Sequence, residues 1–264
     1  MAIYMFHYVK ENMNYYHFDA NKFEEFVKTN KDNIVTFSEY VKTKDDSKIV
    51  LSFDDGTIDH YSVVFPILKK YNVAGVFSVC DNVFDKKILD IQKIHTLMEL
   101  VGIDKLFEDF ISLYKEKSSR DLIKQYGNKE RVVKQLLQRD LPAKLRKKII
   151  NKLLKINDIK LKFDDVYLNK NMIREMQDFN NEFAYHTINH NWLGYLSYKK
   201  QFKEIKNTKY YAKKYGFLNA ITLPFGNGND ETFDIVDKLG IDFVIGIEYS
   251  NNNKCFSRVD CNLI

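Results

Sequence analysis

A buried strand, a helix and a second buried strand follow one another within about 30 residues, and nothing else in the chain constrains the fold as tightly. Ile49-Val50-Leu51-Ser52-Phe53 is a β-branched and apolar run of strand length. His60 to Tyr71 carries Val63, Val64, Ile67 and Leu68 at helical spacing, with Pro66 near its start, and Val73 to Val79 reads as another buried strand. This βαβ pattern calls for a parallel sheet covered by helices, so the predicted class is α/β.

The same rhythm recurs at both ends of the chain. Ile3 to Tyr8 reads as a first strand, Asp19 to Lys28 as a short helix, and Ile34 to Phe37 as an extended link, with Ser38 capping a turn of helix through Val41. Later come a helix over Asn169–Gln177, a strand over Glu182–Tyr185, a helix over Ser197–Tyr215 and a strand over Ala220–Leu223. A helix over Asp230–Leu239, a strand over Phe243–Ile247 and the closing segment Phe256–Asp260 complete the series. Between them, residues 86–162 lose the strand signal and carry helical patterns, broken near Gly102, Ser118-Ser119, Gly127 and Leu141-Pro142. That stretch is too long for a loop and too apolar for a linker, so it is expected to be an all-helical insertion, a lid or subdomain, within one domain spanning 1–264.

Composition narrows the function classes. With 45% hydrophobic residues and only three Pro and ten Gly in 264 residues, the chain can bury a full core and is not a disordered protein. The start of the chain has no basic leader and no later segment nears the ~20 apolar residues of a membrane span. Cys80, Cys255 and Cys261 lack metal-type spacing and read as reduced thiols. These features together predict a cytoplasmic protein. Residues 86–162 hold twenty Lys and Arg against ten Asp and Glu, so the excess positive charge of the chain sits there. Solvated helix faces account for it, and an anionic ligand is the sharper reading; without a recognised module, nucleic acid is not an expected partner.

Three polar motifs stand where parallel strands are expected to end. Asp54-Asp55-Gly56 follows the first buried strand, His186 and His190 follow Glu182–Tyr185, and Pro224-Phe225-Gly226 follows Ala220–Leu223. Asp-Asp-Gly alone is an ordinary turn sequence, and His-x-x-x-His pairs occur by chance on surfaces. Active sites of α/β barrels are built at that rim, where loops from several strands converge. Two histidines four apart on a helical turn project to one side and can share a cation. One Asp and two His make the protein ligand set of a catalytic Zn²⁺ site, leaving the second Asp as a base beside acidified water, the machinery for hydrolysing an amide or ester.

Ser52-Phe53-Asp54-Asp55-Gly56 followed by His186-Thr187-Ile188-Asn189-His190 resembles the first two motifs of the polysaccharide deacetylase family of metal-dependent carbohydrate esterases. The resemblance covers most of the chain outside the helical stretch. It implies a distorted (β/α)7-type barrel and removal of an acyl group, normally acetyl, from an N-acylated sugar or glycoconjugate. It further implies Asp54 as general base and Asp55, His186 and His190 as ligands of a divalent metal, Zn²⁺ first, with Co²⁺, Ni²⁺ or Mn²⁺ as alternatives.

Two departures follow. The family usually carries Arg-x-Pro-Tyr in its third motif, where this chain has Thr222-Leu223-Pro224-Phe225, so the arginine that orients the base is missing there; Arg258 is a candidate substitute, or else a peripheral ion-pair partner. No histidine follows His190, so the usual acid is absent too. The circularly permuted poly-N-acetylglucosamine deacetylases, which this chain resembles in Tyr4-Met5-Phe6-His7, place that histidine on the first strand. That implies His7 as the acid, with the oxyanion held by the metal and a backbone N–H near Phe225. A strand-end histidine can equally be a structural hydrogen-bonder. His95 reads as a surface helix position, and His17 and His60 carry no pattern. Two other readings stand beside the sugar deacetylase: a metal-dependent amidase on a non-sugar amide, and a non-catalytic sugar-binding or scaffold protein that kept the fold.

Overall fold

The computed structural model describes residues 2–246 and 254–261. The chain divides into two compact units: Met1–Asn12, Tyr16–Lys87 and Tyr167–Ile264 form one, and Met13–Tyr15 with Ile88–Val166 form the other.

The first unit is an α/β barrel. Its strands are β1 (Ala2–Phe6), β2 (Ile49–Phe53), β3 (Val76–Val79), β4 (Glu182–Tyr185), β5 (Ala220–Thr222), β6 (Phe243–Ile245), β7 (Cys255–Phe256) and β8 (Val259–Asp260). They lie in the order β8-β1-β2-β3-β4-β5-β6-β7, and every pairing is parallel. The two ends of that order are neighbours in sequence. β7 pairs with β6 through Val244 and Cys255, β8 pairs with β1 through Tyr4 and Val259, and only Ser257 and Arg258 separate the two. One split strand therefore closes the circle, giving seven staves with a distortion at the seam.

Burial on both sides explains the continuous apolar runs. All four residues of β3 and all three of β5 are buried, as expected of parallel strands with helices outside and a packed interior. Alternation sorts the faces. Phe53 points to the helices, stacked on Phe77 with centroids 4.6 Å apart and edge-on to Phe23 of the helix Ala20–Asn30. Phe6, Phe53, Phe77 and Phe183 are register partners on four adjacent strands and stack in sequence. The opposite face carries Ser52, Ser78 and Thr222, small hydroxyl residues that leave room in the upper barrel; Ser78 and Thr222 are hydrogen-bonded at 2.7 Å.

Several expected elements shift. Thr36, not Ser38, caps the helix Phe37–Thr43, because its Oγ1 accepts from the Glu39 N–H while the Ser38 N–H is taken by the Glu182 carboxylate. The helix from His60 opens with a π-turn to Val64 and continues as Phe65–Tyr71, with Pro66 just past the π-turn. The helix expected over 197–215 is two, Tyr198–Ile205 and Thr208–Tyr215. The first strand stops at Phe6 and the sixth at Ile245; Ile247 lies outside the described residues.

The second unit is helical: Asp90–Val101, Ile103–Leu113, Ser119–Tyr126, Lys129–Gln135 with a π-turn to Asp140, and Ala143–Ile156. Leu97, Leu106, Phe110, Val132, Val133, Ile150 and Leu153 form its buried core. His95 lies in the first of these helices, its ring against Tyr15. Among the described residues no helix is long and apolar enough to cross a membrane.

Candidate active site

Because every strand runs the same way, the residues that follow β1, β2, β4 and β5 gather on one rim. The turn after β2 is unusual in its backbone. Asp54 continues the ladder, its N–H donating to the Phe6 carbonyl at 3.0 Å, but Asp55 and Gly56 both take left-handed conformations, with φ of 77° and 64°. Strand alternation would send adjacent side chains to opposite faces; the left-handed φ at Asp55 turns both carboxylates toward the same interior. Gly56 admits no side chain, since a Cβ there would lie 2.6 Å from Val79 Cγ1.

The loop after β4 is held by a buried carboxylate. Glu204, on the helix Tyr198–Ile205, accepts from the backbone N–H groups of Ile188 and Asn189 and from the side-chain amides of Asn189 and Asn191, all at 2.8–3.1 Å. The segment from His186 to His190 is not the helical turn expected from the spacing: Thr187 and His190 have φ of 69° and 54°. It is a loop closed by the His190 N–H donating to Thr187 Oγ1 and by Cys80 Sγ donating to the His186 carbonyl. Both imidazoles still reach one carboxylate. His190 Nε2 lies 3.0 Å and His186 Nε2 3.5 Å from Asp55 Oδ1, all three residues are buried, and one ligand atom from each lies within 4.8 Å of the others.

The donor set fits a cation. His186 Nδ1–H donates to the Thr222 carbonyl at 2.8 Å, so the neutral ring turns the lone pair of Nε2 toward the Asp55 carboxylate. Two electron-rich atoms facing one another in a buried site repel unless a positive charge sits between them. The charge balance of the site makes the same demand. Burial opposes ionisation of Asp55, yet His190 and His186 outweigh it and hold the carboxyl well below its usual range. Burial also disfavours charge on His186, and Asp54, Asp55 and the Thr222 carbonyl outweigh it, raising the imidazole above its ordinary value.

Asp54 has a different partner. Arg258, from the seam between β7 and β8, donates from both terminal nitrogens to its two oxygens at 2.7 and 2.8 Å, and also to Ser52 Oγ at 2.9 Å. Its Nε donates to the Gly246 carbonyl, and the guanidinium is buried. This is no peripheral ion pair: two planar groups are fork-to-fork inside the barrel. Burial pushes the Asp54 carboxyl up, while Arg258, His186 and His7 pull it down to about 2.

His7 leaves β1 one residue beyond Phe6. Its ring packs edge-on to Tyr16, whose hydroxyl donates to Asp260, and its Nδ1 is buried without a hydrogen-bond partner. Burial lowers its pKa; Asp54, Asp55 and Asp260 oppose that shift and Arg258 adds to it, so the ring lies within the field of both carboxylates. Pro224-Phe225-Gly226 forms a single 3-10 turn with Phe225 at φ 57°. The Phe225 ring meets His190 edge-on at 4.7 Å and stacks on Trp192 at 4.3 Å.

Some participants carried no signal in the sequence. His60 is fully buried and donates from Nε2 to the His7 carbonyl at 2.7 Å, with Thr57 Oγ1 3.3 Å away; Asp59 accepts from the Val9 N–H at 2.8 Å. Together they tie the exit of β1 to the aspartate turn. The one available hint was proximity, since both follow Asp54-Asp55 within five residues. Glu204 and Trp192 had none, lying in ordinary helix and loop patterns.

A family model described as polysaccharide deacetylase matches residues 41–244. Among solved structures, the chain is similar to the Streptococcus pyogenes deacetylase PplD in complex with acetate, at 18% identity and a TM-score of 0.62 over 98% of this chain and 91% of that one. A de-N-acetylase from Aggregatibacter actinomycetemcomitans aligns at 18% identity and 0.60, over 98% and 93%. IcaB from Ammonifex degensii aligns at 14% and 0.57, over 98% and 90%. Identities this low show a shared fold. Comparison with curated protein sequences finds no match. With a family model covering more than half of its length, the chain belongs to the polysaccharide deacetylase family.

Proposed function

We propose that the chain removes an N-acyl group, acetyl in the first instance, from an amino sugar of a glycan or glycoconjugate by metal-dependent hydrolysis. The observation that carries this reading is the division of two adjacent carboxylates: Arg258 grips Asp54 while His186 and His190 face Asp55. The names of similar structures, a deacetylase and a de-N-acetylase, point the same way.

Asp55, His186 and His190 hold the metal, Zn²⁺ by the chemistry of one carboxylate and two imidazoles, with Co²⁺, Ni²⁺ or Mn²⁺ as substitutes. When bound, the cation polarises the acyl carbonyl and acidifies water beside it. Asp54 takes the proton of the attacking water as the general base. Arg258 keeps that carboxylate ionised and fixes its direction. The oxyanion is held by a backbone N–H of the Pro224-Phe225-Gly226 turn. His7 gives a proton to the leaving nitrogen as the C–N bond breaks, releasing the carboxylate and a free amine; burial makes its protonated form the stronger acid. The buried Arg258–Asp54 pair weighs against a non-catalytic scaffold, since the arginine missing from the third motif has a counterpart.

Acetate release from N-acetylated sugar conjugates tests the proposal. The Zn²⁺-loaded protein is expected to release acetate, and Asp54→Asn to lower the rate ~10²- to 10⁴-fold. Undiminished release by Asp54→Asn removes Asp54 as the base, and release only from small non-sugar amides moves the assignment to an amidase.

A further inference from the structure

The positive charge of the helical unit is not spread evenly over its helices. In most of them lysines stand beside acids of the same helix: Lys93 pairs with Asp90, Lys105 with Asp109 and Lys134 with Glu130. That is the mixed charge of an ordinary solvated face. The last helix, Ala143–Ile156, differs. No Asp or Glu occurs from 141 to 157, and Lys144, Lys147, Lys148, Lys152 and Lys155 are all exposed. Among the described residues none of the five has a carboxylate partner.

At 3.6 residues per turn the five fall within about 140° of the circumference and over about 16 Å of the helix axis. The opposite side holds the helix down: Ile149, Ile150 and Leu153 are buried in the core of the unit, and Arg146 donates to the Gln138 carbonyl. Packing therefore fixes which way the lysines face. Like charges at this spacing destabilise a helix. Lys144 with Lys148 and Lys148 with Lys152 are four apart, and Lys144 with Lys147 and Lys152 with Lys155 are three apart. Stability alone does not call for such a row, and an anionic partner relieves its repulsion.

The form of the row selects the partner. Lysines spread along 16 Å diverge instead of converging on one phosphate, which suits a surface of many headgroups. Sites for a single phosphate or for base edges favour the planar fork of arginine, and nucleic-acid grooves add rings on which bases stack; the exposed face of this helix has neither. Instead Ile156, one turn beyond Lys152 on the same side, is 51% exposed, an apolar side chain placed to enter the boundary between headgroups and acyl chains. The main apolar face of the helix is already taken by the core, so binding draws on charge more than on insertion.

We propose that the lysine face of Ala143–Ile156 is a docking surface for a bilayer containing anionic lipid. Each lysine held close to such a surface strengthens binding about fivefold, and the attraction fades within a Debye length. The test is co-sedimentation of the full chain with vesicles of about 30% phosphatidylglycerol in phosphatidylcholine at about 0.1 M salt. Binding is expected there, and is expected to weaken at least ~10-fold on pure phosphatidylcholine or at about 0.5 M salt. Lys144→Gln, Lys148→Gln and Lys152→Gln combined should weaken it about 100-fold. The same loss of charge at exposed positions of the barrel, Lys199→Gln, Lys203→Gln and Lys213→Gln combined, should weaken it less than about threefold. No binding to the anionic vesicles, equal binding to the neutral ones, or equal losses in the two triple variants overturns the docking surface. Duplex DNA that binds more tightly than the vesicles, with the same dependence on Lys144, Lys148 and Lys152, overturns it too and assigns the face to nucleic acid.

Discussion

The two units bury different things. In the helical unit Gln92 and the phenol of Tyr114 are the buried polar groups among the described residues, and its core is otherwise Leu, Ile, Val, Phe and Met. The barrel buries Asp54, Asp55, Asp59, Glu204, His60, His186, His190 and Arg258. Charged groups seldom reach the interior unless paired, and replacing them with apolar residues often stabilises a protein. The difference teaches where selection for stability alone accounts for the residues and where it does not: the helical unit follows packing, and the barrel rim accepts a cost for chemistry.

Breaking the comparison from the helical side gives the largest effect. Phe110 has no exposure in that core, and Phe110→Ala should cost about 4 kcal/mol, read as faster hydrogen exchange over residues 88–166, with Zn²⁺ affinity unchanged. A parallel loss of metal affinity would erase the distinction between the units. From the barrel side, Arg258→Met leaves a buried carboxylate without its partner and should destabilise by about 3 kcal/mol in denaturant unfolding while one metal site persists. A neutral or stabilising outcome would mean that the pair is spent on neither stability nor orientation of Asp54.

Acid titration sharpens the same pair. The Asp54 carboxyl is held at about 2 against an ordinary 3.8, so the folded state favours the ionised form. That contribution, about 2 kcal/mol, is complete above about pH 4 and disappears as the pH falls toward about 2, because the unfolded chain takes up the proton first. The unaltered protein should therefore lose stability over that window more steeply than Arg258→Met. The smallest effect belongs to the loop clamp. Glu204→Gln keeps its shape, but its amide nitrogen cannot accept, so one of the two pairs of bonds to the histidine loop is broken, with about 1.5 kcal/mol lost and Zn²⁺ affinity reduced about tenfold in a competition assay.

How much of this could be read from the chain depends on the range of the interactions. The βαβ run, the strand-end positions of Asp54-Asp55 and His186/His190, and the helical stretch are local patterns, and they were legible. Arg258 appeared as a candidate, but its grip on Asp54 spans 204 residues and arises only when a split last strand closes the barrel. The left-handed conformations at Asp55, Thr187 and His190 were hidden because none of them is a glycine; long-range contacts such as Glu204 with the histidine loop hold that backbone. His60 bonds a backbone carbonyl, and a carbonyl has no signature in sequence.

Calorimetric titration of the metal-free protein with Zn²⁺ tests most directly the claim that the buried cluster exists to hold a cation. One ion per chain is expected, with affinity falling on the order of 100-fold in His186→Ala and in Asp55→Asn and holding steady in His95→Ala. Binding that ignores Asp55 and His186, or no binding at all, would contradict it.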